Sequence, residues 1–430
     1  MKKKLFSKDT FTGQVAILSS GSMAAQAIPL LLTPLLTRLY TPEQFGLLAL
    51  FTSISVVFAI LAAGKYEIAI VIPKKNQSAL NLLALSLTLA LITLLFWVVI
   101  FIPFNTQIAG FINNPDLSFW LYLMPLAILA IIVYEIFFSW LNRTSDYKEL
   151  SYGKVLHSGS MTVIQTFLGF LGFGTGGLII GDLIGRINGA IYYGWKTVTG
   201  NLFDRNLISK KEIKKEASIH QDFPKYTMGS TLIARIGEEA PIIMITTFFE
   251  AAFVGFFAIA TRIMRMPMAL LGQAITRVFF RKVSENYNNK IKSRNLIVKM
   301  WLILAAIGLP PTLIVFIFGG NLFQFVLGPE WFEAGVMAAY LTPMILAEFI
   351  STPTSMGYIV YKRQDLSPWF ALSVVIYRPL ALYIGYLRED IYLGIALLVF
   401  THIFQIILYN LIIYRIMKKQ EENFQDQSLV

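Results

Sequence analysis

The sequence predicts an all-α polytopic membrane protein, with twelve transmembrane helices in two six-helix bundles and both termini cytoplasmic. Three observations lead there. Of the 430 residues, 56% are hydrophobic and 14% charged, with a mean hydropathy of +0.63, whereas soluble chains carry nearer a quarter charged residues. Long apolar runs recur from end to end. As helices they match the thickness of a bilayer core, and they are too long and continuous for the alternating strands of an outer-membrane barrel. Lysine and arginine collect in every second connection, as the positive-inside rule requires.

In order, the spans fall at roughly 13–36, 46–64, 79–102, 118–139, 153–172, 177–195, 227–248, 251–273, 296–318, 334–355, 368–387 and 391–414. Residues 1–10, MKKKLFSKDT, have the basic character of a signal-peptide n-region. The run that follows is too long and offers no small-x-small cleavage site, so it reads as a retained first span. The run 153–172 is the most polar, and its glycines and serines suit close helix packing. With the N-terminus inside, the segments 2–8, 65–75, 143–154, 196–225, 277–299, 362–363 and 415–419 all lie inside and hold 29 of the 36 basic residues. The outside loops hold only Arg38 and Arg388, and five arginines lie within spans. Losing any one span would scramble this alternation.

The organisation expected is a bundle over 1–195, a cytoplasmic linker over 196–226 that includes a short amphipathic helix, and a second bundle over 227–430. The halves are related. Gly21-Ser22 matches Gly229-Ser230 at an offset of 208, Pro34 matches Pro241 at 207, Glu43 matches Glu250 at 207, and Gly46 matches Gly255 at 209. Six helices separate the copies, so the repeat is parallel, with a pseudo-two-fold axis along the membrane normal. Such halves suit alternating access around a shared cavity.

The charges inside the spans ask for an explanation. Arg186, Arg235, Arg262, Arg265 and Arg378 lie there, accompanied by Asp182, Glu238, Glu239 and Glu348. Each charge at the bilayer centre costs at least ~2.5–3.5 kcal/mol, so several at similar depth imply a polar interior. Asp182 with Arg186, and Arg235 with Glu239, share helix faces four residues apart. Glu238 is less easily satisfied by the same arginine. Arg262 and Arg265 are three apart with no acid in their own helix. Their partner is either an acid on another helix, such as Glu348, or an anion that comes and goes. Guanidinium suits the second task, because its planar fork meets two phosphate oxygens at once. The four acids either compensate charge or bind a proton or sodium ion. His402 reads as a packing residue. Trp97, Trp120, Trp140, Trp195, Trp301 and Trp369 lie near span ends as interfacial anchors. Prolines such as Pro241, Pro267 and Pro379 allow kinks.

Several functions are excluded. There is no cysteine, and His157, His220 and His402 lie far apart, so no metal site is expected. No Walker A sequence is present, and GFGTGG at 172–177 lacks the Lys and Ser/Thr that would follow a phosphate-binding loop. No cofactor is expected. The net charge of +11 is topology signal and contact with anionic headgroups, not nucleic-acid binding. The outside loops are short, which argues against an enzyme that polymerises or ligates glycans.

PLLTRLYTPEQFGLLALFTSI at 34–54 and YEIAIVIPK at 66–74 resemble the R-x-Y-T-P-x-x-F-G turn and the Y-E-x-A-I-V-x-P run of bacterial O-antigen (Wzx-like) polysaccharide flippases. These belong to the multidrug/oligosaccharidyl-lipid/polysaccharide exporter superfamily. GFFAIATRIMRMPMALLGQAITRVFF at 255–280 resembles that group's A-x-R-I-x-x-x-P and G-x-A-I-x-x-V-F runs. The resemblance spans the chain. It implies a two-lobed inner-membrane carrier that makes and breaks no covalent bond. It also implies movement of undecaprenyl-diphosphate-linked oligosaccharide repeat units from the cytoplasmic to the periplasmic leaflet. A cationic cavity and coupling to a proton or sodium gradient are implied too. Arg262 falls on the arginine of the A-x-R-I motif, and Arg38 on that of the first turn, where it orients the loop near Glu43. The cargo diphosphate is expected at Arg262, Arg265, Arg235, Arg378 and Arg186. Membrane lipids, and glycan polymerase and chain-length proteins, are the partners expected of a carrier that works as a monomer. The rival readings are a cation-coupled multidrug exporter of the same superfamily and a membrane glycan polymerase or ligase.

Overall fold

The apolar runs become helices because a backbone in hydrocarbon must satisfy its own hydrogen bonds. The computed structural model describes the backbone of residues 11–426 and their side chains except at 11–17, 269–270, 273–274, 277–278, 367 and 423–426. The basic N-terminal segment 1–10, and Gln273, Ala274, Arg277 and Val278 of the G-x-A-I-x-x-V-F run, therefore lie outside the described side chains.

The described residues contain twelve helices of 20 residues or more, one at each expected run. They are α1 Phe11–Leu39, α2 Pro42–Ala62, α3 Asn76–Phe101, α4 Met124–Arg143, α5 Tyr147–Phe170, α6 Thr175–Val198 and α7 Met228–Phe248. After these come α8 Ala251–Asn288, α9 Arg294–Leu327, α10 Phe332–Ser351, α11 Ser367–Leu387 and α12 Ile391–Asp426. Among the described residues, eight helical stretches are both long and apolar enough to cross a membrane. The remaining long helices, α1, α5, α6 and α7, carry many small and polar residues. The chain is an all-helical, multi-pass membrane protein.

By its contacts the chain divides into two compact units, 1–247 and 248–430, so that α7 belongs with the first. In unit 1, α5 packs on α1 and α6, and α4 packs on α2, α3 and α6. The first motif builds the α1–α2 corner. Pro42 opens α2, Thr41 N–H donates to Gln44 Oε1 at 3.2 Å, and Tyr40 O–H donates to Gln165 O at 2.6 Å. Arg38 is exposed, and no ion pair joins it to Glu43 among the described residues. The second motif is a docking point. Tyr66 O–H donates to Ala217 O at 3.0 Å, and Arg143 donates to the carbonyl of Pro73. The linker contains the helix Lys210–Ile219, anchored where Ser209 N–H donates to Asn81 Oδ1 at 3.0 Å.

In unit 2 the tightest helix pair is α9 with α10, which meet at glycine. A Cβ on Gly335 would run into the carbonyl of Gly319, and one on Gly319 into the carbonyl of Gly335. Gly335→Leu is therefore expected to prise the pair apart at a cost of ~3 kcal/mol or more, read as a lower melting temperature in detergent.

Helices α8 and α12, of 38 and 36 residues, outrun the spans expected of them. Their extra turns, with Phe279, Val283 and Met417, join Ile297 at the start of α9, Ile413, Tyr358 and Tyr361 in one buried cluster. Glu421 closes this cluster. Its Oε1 accepts from the backbone N–H of Ser293 at 2.5 Å and of Arg294 at 2.8 Å, capping α9 from outside its own sequence. Glu421→Ala is expected to cost ~1–2 kcal/mol, measured as a fall in melting temperature that Glu422→Ala does not reproduce.

Candidate functional site

Five arginines and four acids single themselves out by their place in apolar helices, and the fold sorts them into three clusters. In unit 1, Asp182 and Arg186 sit one turn apart on α6. Arg186 Nε donates to Asp182 Oδ2 at 2.8 Å and Nη2 to Oδ1 at 3.2 Å, a two-pronged pair with the carboxylate buried. Tyr134 and Glu135 of α4 lie within electrostatic reach of this guanidinium.

The second cluster of unit 1 lies on α7. Arg235 Nη1 donates to Glu238 Oε2 at 2.8 Å and, less closely, to Glu239 Oε1 at 3.4 Å. The expected pair of Arg235 with Glu239 is present, and Glu238, which the sequence marks as harder to satisfy, is the nearer partner, because three-residue spacing also shares a helix face. Glu239 also turns to α2, where Ser53 O–H donates to its Oε2 at 2.6 Å. That bond ties α7 to the first unit.

The third cluster is in unit 2 and draws on four helices. Arg265 of α8 meets Glu348 of α10 with Nε–Oε2 at 3.1 Å and Nη2–Oε1 at 2.9 Å. Of the two partners open to the Arg262 and Arg265 pair, the acid on another helix is the one this arrangement holds. Arg262 lies one turn earlier on α8 and is half-buried. Arg378 of α11 is buried, and both it and Arg265 act on the Glu348 carboxylate. His402 of α12 brings Nε2 to 2.9 Å from Glu348 Oε1, and its Nδ1 contacts the phenol of Tyr377. It is thus a polar junction, where the sequence suggested packing.

The sequence reading missed three groups. Glu135 is exposed within the apolar stretch AILAIIVYEIFF of α4, with Lys65, Lys154, Glu67 and Arg186 within electrostatic reach. The rule that singled out Glu348, a lone acid in an apolar span, would have found it. Lys154 on α5 donates to Ser22 Oγ at 3.0 Å and sits over the Phe138 ring, 5.2 Å from its centroid. Gln405 orders Tyr377 through a contact across helices that no spacing in the chain announces. Among the described residues no group of three or more His, Asp or Glu side chains is placed to hold a metal ion.

The family described as "Polysaccharide biosynthesis protein" matches residues 35–336. An uncharacterized membrane protein in the cps region of Klebsiella pneumoniae is 22% identical over 358 residues, 80% of this chain and 70% of that protein. Among solved structures, the lipid II flippase MurJ in an inward closed conformation aligns with a TM-score of 0.73 at 14% identity, covering 95% of this chain and 91% of that one. An inward-facing multidrug resistance transporter of the MATE family, in the MOP superfamily, aligns with a TM-score of 0.67 at 13% identity and 98% coverage of both chains.

Proposed function

We propose, for a chain that belongs to the family of polysaccharide biosynthesis proteins, that it is a flippase for an isoprenoid-diphosphate-linked oligosaccharide. The cargo is of the undecaprenyl-diphosphate kind and moves from the cytoplasmic to the periplasmic leaflet of a bacterial inner membrane. The observation that carries this reading is the cluster of unit 2. There two guanidiniums, Arg265 and Arg378, act on one carboxylate, Glu348, among helices apolar enough to cross a membrane. Guanidiniums from two helices thus gather at one place among apolar helices. Burying such groups is costly in hydrocarbon, and the arrangement suits an anion that has to be carried through it. A lipid diphosphate is such an anion, and guanidinium forks meet its oxygens two at a time.

On this reading twelve spans place both termini in the cytoplasm, and the two halves rock about a wet cavity. The diphosphate engages Arg262, Arg265, Arg235, Arg378 and Arg186. The sugars occupy the cavity while the polyprenyl tail stays in lipid. Asp182, Glu238 and Glu239 compensate charge, and a proton or sodium gradient resets the carrier. No bond of the cargo is made or broken. A single chain suffices, and polymerase and chain-length proteins receive the product.

The test is reconstitution. The full chain in liposomes, given a fluorescent undecaprenyl-diphosphate oligosaccharide in one leaflet, is expected to expose it to a membrane-impermeant quencher on the other side. Empty liposomes should not. Export of a cationic dye with no movement of any lipid-linked glycan would instead favour the multidrug reading.

A further inference from the structure

Gln405, on α12, donates its two amide hydrogens to Phe370 O at 2.8 Å and to Ser373 Oγ at 2.7 Å, while Ser373 donates to Phe370 O at 2.8 Å. A carbonyl oxygen can only accept, so the amide cannot be turned over, and its Oε1 faces Tyr377. Tyr377 O–H lies 2.8 Å from that Oε1 and must donate to it, since two acceptors would otherwise face each other. The same phenol oxygen contacts His402 Nδ1. Its single hydrogen is already committed, so it accepts, and Nδ1 carries a hydrogen. On the other side of the ring a second hydrogen has to lie between Nε2 and Glu348 Oε1, 2.9 Å apart. A neutral imidazole with a carboxylate supplies one hydrogen for these two places, and the network uses two. The paired N–H bonds from Arg265 to both Glu348 oxygens call for a carboxylate, which puts both hydrogens on the imidazole.

We infer that His402 and Glu348 form a proton-binding site, filled in this arrangement, whose proton sets the positive charge offered to an anionic cargo. The inference rests on the reading of Arg265 and Arg378 as diphosphate ligands. With the proton bound, His402 adds one positive charge beside Arg265 and Arg378. Without it that charge is gone. Both Glu348 oxygens already face N–H donors, so a proton and not a sodium ion is the cation this pair exchanges.

The groups that face His402 come from three helices: Arg265 from α8, Glu348 from α10, and Tyr377 with Arg378 from α11. The other elements packed on α12 are α9 and the helix Thr354–Val360. Their charged residues Arg294 and Lys299 lie toward the α9 end capped by Glu421, and Tyr358 is occupied by Tyr409 O at 2.7 Å. When the proton leaves, one hydrogen must serve two places. Either the bond to Glu348 breaks, or Tyr377 turns its hydrogen to Nδ1 and abandons Gln405. Ser373, Tyr377 and Gln405 also line the 480 Å³ groove between α11 and α12, so the change reaches that surface.

The test uses the full chain in detergent with farnesyl diphosphate as probe. Calorimetry in two buffers of different ionisation enthalpy, repeated at rising pH, counts protons taken up per diphosphate bound: none where the site is already filled, and uptake once the pH is high enough to empty it in the ligand-free chain. Uptake is expected in the wild type and in His220→Gln, and is expected to vanish in His402→Phe. Tyr377→Phe removes the acceptor for Nδ1–H, along with the donor to Gln405 Oε1 and a partner of Arg378, and should move the midpoint of uptake down by about one pH unit. It keeps the test open if His402→Phe does not fold. Histidine-selective ¹⁵N spectra of the ligand-free chain should show His402 with hydrogens on both ring nitrogens. Binding with uptake unchanged in His402→Phe overturns this inference and leaves the proposed function standing. Absence of wild-type binding overturns the diphosphate reading, and then the spectra decide: a neutral imidazole, whichever nitrogen carries its hydrogen, overturns the proton site as well, and hydrogens on both ring nitrogens sustain it.

Discussion

Replacing Arg265 and Arg378 together with alanine is expected to lower translocation of an isoprenoid-diphosphate oligosaccharide by about a hundredfold or more in proteoliposomes. Each guanidinium offers the diphosphate charge-assisted hydrogen bonds worth ~1.5–3 kcal/mol, and each 1.4 kcal/mol is about a factor of ten. The double variant leaves Glu348 with His402 alone, which by itself lowers stability. Adding Glu348→Gln removes that orphaned charge. The triple variant should recover membrane levels and melting temperature while transport stays lost. Arg265→Lys keeps the charge and loses the fork, and should cost about tenfold. The Arg262→Ala and Arg265→Ala pair is expected to behave like the first double variant. Wild-type transport rates in the triple variant would remove these residues as anion ligands.

The second large effect is structural. Asp182→Ala strands Arg186, whose two N–H groups give it a closed pair with a buried carboxylate. Removing one member of such a pair costs ~3–5 kcal/mol, far more than the intact pair contributes, because a charge is left without compensation. Thermal unfolding should drop steeply in Asp182→Ala and recover most of the loss in Asp182→Ala with Arg186→Met. If the recovered variant also transports, Arg186 is a structural residue and the diphosphate is held by unit 2. An unchanged melting temperature in Asp182→Ala would show that Arg186 finds another partner, with Glu135, within its electrostatic reach, as the candidate.

What could be read in advance follows the range of the interactions. Helices at the expected runs are legible because hydropathy and length act locally. The pairing of Asp182 with Arg186 is legible because four-residue spacing on a helix is itself a contact. Glu238 was equally legible at three-residue spacing, and the preference for Glu239 hid it. The extra turns of α8 and α12 were not legible as part of a core. Their apolar residues, Phe279, Val283 and Met417, are sparse among charges and find partners on other elements, among them Ile297, Tyr358 and Tyr361. Arg265 and Glu348 are 83 residues apart, so their meeting is a property of helix packing alone. The same holds for His402. Its chemistry depends on Tyr377 and Gln405, and each of those is unremarkable in a membrane helix.

The central claim is that an isoprenoid diphosphate is held by the arginines of α8 and α11, and photocrosslinking tests it most directly. A farnesyl diphosphate analogue with a diazirine on the isoprene unit next to the diphosphate would be bound to the full chain, activated, and mapped by mass spectrometry. The account predicts adducts on α8 near Arg262 and Arg265 and on α11 near Arg378, displaced by excess inorganic pyrophosphate and absent from the Arg265 and Arg378 double variant. Adducts confined to other helices, or the same adducts from a farnesol analogue that has no diphosphate, would contradict it.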